Sequence, residues 1–179
     1  LDADARKRFV AYIGNLSKAT RNAIAFAISS VQQGLSFTMT ENYNYADTFT
    51  PGYFYAVVDD GSGNPSDSLI NAIGAAIETV RGFTIMFGVF RPNLLTANVA
   101  FTIESVNHAQ DAILASNAVN AYITSLPIGQ KMPYGRIWQL AFDSSATITG
   151  VTGVLLNGGT ADIATTAKQR VVAGTITVG

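Results

Sequence analysis

The chain has 179 residues, 48% of them hydrophobic and only 13% charged, with a net charge of −1. Charged residues make up roughly one-quarter of an ordinary soluble chain, so the surface carries about half the usual charge, as expected of a surface that partners cover. A nearly neutral balance lacks the basic excess that nucleic-acid binding requires. The longest apolar stretch, 83–90, is far below the roughly 18–20 residues that span a bilayer.

Positions 1–33 read as helical, because Phe9, Ile13, Leu16, Thr20, Ala23, Ile24, Ala27 and Val31 recur at three- and four-residue steps. Gly14-Asn15 and the capping-competent Ser17 and Thr20 predict a break, with helices over 3–13 and 19–32. Five of the eleven basic residues, Arg6, Lys7, Arg8, Lys18 and Arg21, fall here. They form either a solvated face or a docking surface for an acidic partner. At 100° per residue, positions 7, 18 and 21 lie within about 60° of one another.

From Leu35 the period becomes two, predicting a strand over 35–40 that pairs with a second over 53–58. The connection 41–52 is long for a hairpin and carries Tyr43, Tyr45 and Phe49, followed by Tyr53. These rings are candidates for an interface, the alternative being that they fold back over the sheet. A turn follows at 59–67, with Asn64 expected as helix N-cap, Pro65 in the first turn and Asp67 favourable to the dipole. The next helix buries Leu69, Ile70, Ile73, Ala76, Ile77 and Val80. Two strands, 83–90 and 95–104, are joined through Arg91-Pro92-Asn93. A helix over 109–126 turns Ala112, Ile113, Ala115, Val119, Tyr122, Ile123 and Leu126 inward, a short helix follows within 133–143, and strands over 148–157 and 171–178 end the chain. The pattern is α+β, as two small lobes of mixed or antiparallel sheet with helices packed on one face, 1–105 and 106–179.

No residue set for catalysis, metal or cofactor emerges. With no cysteine and one histidine, His108, disulfides, Cys-ligated zinc and a thiol nucleophile are excluded. From Asp60 the chain imitates a calcium loop, but Pro65 stands where that loop needs glycine and Asn71 where it needs a bidentate glutamate. As a phosphate cradle the turn fails, since Asp59 and Asp60 repel an anion and no Gly-Lys-Ser/Thr follows. His108 has no Gly-x-Ser-x-Gly to serve. Acids such as Asp2, Asp4, Asp67 and Asp111 occupy helix starts, where the dipole accounts for them. A non-catalytic module is expected. A start at Leu1 is expected of a piece of a longer protein, and no cleavable signal pattern is read there.

The order of several blocks resembles the C-terminal half of the baseplate J-like family of phage tail proteins. The blocks are Leu1-Asp2-Ala3-Asp4-Ala5-Arg6-Lys7-Arg8-Phe9 with Leu16-Ser17-Lys18-Ala19-Thr20, then Tyr55-Ala56-Val57-Val58-Asp59-Asp60-Gly61-Ser62-Gly63-Asn64-Pro65 with Val80-Arg81-Gly82. Leu126-Pro127-Ile128-Gly129, Pro133-Tyr134-Gly135-Arg136-Ile137 and Leu155-Leu156-Asn157-Gly158-Gly159-Thr160 follow in order. Gly82 departs from the family, which more often has proline there. The resemblance implies a wedge or ring subunit of a tail baseplate. It implies other baseplate proteins and further copies of itself as partners, location in the virion after assembly in the host cytoplasm, and no catalytic residues. Lys7, Lys18, Arg21, Tyr43, Tyr45, Phe49 and Tyr53 are the expected contact residues. The tyrosine-rich loop leaves a receptor- or carbohydrate-binding module as the alternative, and a cell-wall hydrolase as a more distant one.

Overall fold

The computed structural model describes residues 2–14 and 18–179. Leu1, Asn15, Leu16 and Ser17, used above for the first helix pattern and its break, lie outside the described residues. The chain divides into two compact units, Leu1–Arg91 and Pro92–Gly179.

The first unit holds α1 (Ala3–Gly14), α2 (Arg21–Val31), β1 (Ser36–Tyr43), β2 (Phe49–Asp59), α3 (Asp67–Glu78) and β3 (Met86–Phe90). Its sheet runs β1-β2-β3, with β1 antiparallel to β2 and β3 parallel to it. The parallel pair requires a crossover, which α3 supplies. Alternation along β2 sends Phe54, Ala56 and Val58 to the helical side, where they pack with Ile24 and Ile28 of α2 and Ile73 and Ile77 of α3. Thr20 caps α2 by accepting from the Ala23 amide at 3.2 Å. Phe9 and Ile13, expected inward, are instead 62% and 52% exposed, because α2 and α3 fill that side of the sheet and α1 adds no residue to this core.

The second unit holds β4 (Asn93–Ser105), α4 (His108–Ser125), α5 (Gly135–Asp143), β5 (Ile148–Leu156) and β6 (Gln169–Val178). Its sheet runs β5-β4-β6, antiparallel on one side of β4 and parallel on the other. Ala97, Val99, Phe101 and Ile103 on one face of β4 meet Ala115, Val119 and Ile123 of α4 and Ile137 and Ala141 of α5. Burying each large side chain of this set contributes about 1.5–3 kcal/mol.

The fold is thus α+β, with two mixed three-stranded sheets. The expected division at 105/106 differs from the observed one at Arg91/Pro92, because β4 pairs with β5 and β6 rather than with β3. The loop expected over 41–52 is mostly strand. Its turn is confined to 44–48, where the Asn44 carboxamide accepts from the amides of Ala46 and Thr48, both at 3.0 Å. The N-cap of α3 is Ser66, accepting from the Leu69 amide at 3.2 Å, and not Asn64. Asn64 and Pro65 belong to the turn: the Asn64 amide donates to Ser62 and the Pro65 carbonyl accepts from Arg91 Nε at 2.6 Å. Ile113 is 56% exposed rather than inward, and Asp111 is buried in that turn of α4.

Candidate functional site

The Asp59-Asp60 turn is a closed structural device. Asp59, fully buried, accepts from the Gly63 amide at 2.7 Å, while Asp60 accepts from the Ser62 amide at 3.0 Å and hydroxyl at 2.5 Å. Arg91 ties the turn to the end of β3 through Pro65 and Asp67, the latter at 2.6 Å. Among the described residues no three His, Cys, Asp or Glu side chains converge as a metal would need, and no helix is long and apolar enough to cross a membrane.

In the second unit, Asp111 is buried at the start of α4, accepting from the Ser105 hydroxyl and from the Thr147 hydroxyl at 2.6 Å. Hydrogen bonds from Ser105, then Thr147 and Ser145, hold its carboxyl below the usual aspartate range. Ser105 therefore donates straight to a carboxylate that is a poor base. An activated hydroxyl needs a good base within reach, and His108, exposed in the first turn of α4, makes no recorded bond to Ser105.

Asn157, at φ +51°, clamps β4 where its register with β6 shifts. Its carboxamide accepts from the Asn98 amide at 2.8 Å and donates to the Thr96 carbonyl at 3.0 Å, and Asn98 in turn accepts from the Thr175 amide at 3.0 Å. Gly174 lies against this clamp with no space for a Cβ. Asp162 accepts from the Tyr134 amide at 2.9 Å and Lys131 at 3.1 Å, which lowers its pKa, chiefly through the amide. The turn, the Asn-Gly-Gly step and the Pro-Tyr-Gly-Arg segment thus all have structural work.

The seven expected contact residues divide. Lys7 is exposed on α1, and Lys18 is exposed in a turn before α2. A helical wheel through 7, 18 and 21 therefore does not follow one helix. Arg21 pairs with Glu41 at 3.3 Å, both largely exposed. Tyr43 and Phe49, 42% and 64% exposed, meet edge to face across the hairpin at 5.6 Å. Tyr45 folds back instead: its ring stacks on Phe90 at 4.1 Å and meets Tyr55 edge-on at 5.5 Å, and its hydroxyl donates to the Arg91 carbonyl at 3.4 Å. Gly88 admits this packing, since a Cβ there would lie 2.5 Å from the Tyr53 hydroxyl and 2.6 Å from the Phe90 ring.

Arg21 and Tyr53 share one feature, a half-open cavity of about 250 Å³ in the first unit, whose lining also includes Ile24, Met39, Phe54 and Ile85. Sequence reasoning missed this cavity because it joins α2, the β1-β2 hairpin and the segment before β3. It also missed Phe83, assigned to a strand but 96% exposed in the turn before β3. The departure from proline at Gly82 was the local signal.

No protein-family model matches the sequence, and no curated protein does. Among solved structures, the fold is similar to that of a chain in a cryo-EM structure of the anti-feeding prophage (AFP) baseplate, 6-fold symmetrised. The TM-score is 0.69 at 9% identity, over 93% of this chain and 40% of that one. The chain therefore spans about 40% of the length of the chain it matches.

Proposed function

We propose that this chain is part of a structural subunit of a phage or phage-derived tail baseplate, of the baseplate J-like kind, acting as a wedge or ring component. The observation that carries this reading is the shared fold over 93% of the chain with a component of the AFP baseplate. The low charge and the exposed Tyr43, Phe49 and Phe83 support it, since assembly interfaces favour aromatics and exclude charge. Its partners are other baseplate proteins and further copies of itself, its place is the virion tail, and it is assembled in the host cytoplasm. The role is non-catalytic. Support comes from the way Asp59, Asp60, Asp111 and Asp162 are engaged in holding turns and helix starts.

The reading is tested by deleting the coding sequence in the source cells and complementing it. Complete tails should be lost on deletion and restored by the wild-type protein. Normal tails without the gene would refute it.

A further inference from the structure

Thr84 stands at φ +71°, in the left-handed region that a β-branched residue avoids, directly after the 96% exposed Phe83. Arg81 holds the segment in this form. Its guanidinium donates to the carbonyls of Gly82 at 3.3 Å and Ile85 at 2.8 Å, while Glu78 grips it at 2.6 Å. A strained backbone that keeps a phenyl ring in water is a pointer to function.

Gly82 and Ile85, which flank that ring segment, also line the cavity of about 250 Å³. Its buried lining includes Ile24 and Phe54, and its exposed lining includes the Arg21–Glu41 pair. It is smaller than the roughly 300–1,000 Å³ of small-molecule sites, and suits one large apolar side chain.

We propose that Phe83 fills this cavity in a second copy of the chain while the partner's Phe83 fills the first, pairing two copies about a two-fold axis. Knob and hole lie on one short segment, so a single two-fold contact satisfies both, which is the self-complementarity of an isologous interface. The charges agree. Arg21 and Glu41, with side chains 62% and 56% exposed, give the cavity one cation and one anion. A two-fold sets each against the opposite sign in the other copy, whereas a partner of single sign meets like charge. The inference rests on the self-contact in the reading above and names its surface. Its test uses the purified 179-residue chain without tails, so failure to pair and failure to join a tail are distinct results.

Sedimentation velocity up to roughly 200 μM detects micromolar pairing and should show a concentration-dependent dimer. Phe83→Ser, which removes a ring already in water, should keep its circular dichroism melt and weaken pairing at least about tenfold. Arg21→Glu and Glu41→Arg copies should each stay monomeric, one having two acids at the cavity and the other two cations, and should pair when mixed. A chain monomeric throughout, a Phe83→Ser variant that pairs as wild type does, or charge-reversed copies that fail to pair with each other would overturn the proposal.

Discussion

Replacing Tyr45 with alanine separates the two readings of the aromatic hairpin. The ring makes two close aromatic contacts, with Phe90 at 4.1 Å and Tyr55 at 5.5 Å. Pairs of this kind are worth about 0.5–1.5 kcal/mol each beyond area burial, together about 1–3 kcal/mol. The half-buried ring removes on the order of 50–100 Å² from water, which at about 25 cal/mol/Å² adds roughly 1–2.5 kcal/mol. A loss of about 2–4 kcal/mol is expected after allowing for relaxation. Tyr45→Phe removes only the 3.4 Å bond to the Arg91 carbonyl and should cost at most about 1 kcal/mol. The double variant Tyr43→Ala/Phe49→Ala loses one exposed pair and should also cost about 1 kcal/mol or less. The assay is urea titration monitored by hydrogen exchange on β2 and α4 peptides, which reads the two units separately. The Tyr45→Ala effect should be confined to β2. A Tyr45→Ala protein within about 0.5 kcal/mol of wild type, or one no less stable than the Tyr43/Phe49 double variant, would refute the packing.

Three further outcomes follow from the structure. Gly174→Ala should destabilise the second unit by about 1–3 kcal/mol in urea titration, because its Cβ has no room beside an Asn98 side chain held by the Thr175 amide. Because the folded-state pKa of Asp111 lies below its ordinary 3.8, the stability it supplies is present above that value and is lost as pH falls through the lowered one. Acid titration should therefore loosen the α4 start in wild type, and Asp111→Asn should flatten that pH dependence while lowering stability at neutral pH. Reversing Lys18 and Arg21 to glutamate should weaken assembly and leave the thermal midpoint within a few degrees, since both are exposed and a surface ion pair is worth at most about 1 kcal/mol. An equal loss of folding would mark them as structural.

Helix and strand order was legible because periodicity reports burial directly: Ile73 and Ile77 at a four-residue step, and Val99, Phe101 and Ile103 at two-residue steps, are all buried. Pairing was not legible. β3 and β4 are separated only by Arg91 and Pro92 yet belong to different sheets, and local patterning says nothing about which strand a strand will meet. Asp111 read as a dipole acid because position alone explained it, while its burial depends on Ser105 and on Thr147, 36 residues away. The candidate contact residues were chosen for type, charge or ring. Only the fold distinguishes Tyr45, which packs inward, from Phe49, which does not.

Co-sedimentation tests the central claim most directly. Tail particles from induced source cells are banded on a density gradient, and this polypeptide is quantified against the tail-tube protein. The account predicts co-migration at a fixed ratio compatible with six-fold symmetry. Recovery of the polypeptide only as free protein, with intact tails elsewhere on the gradient, would contradict it.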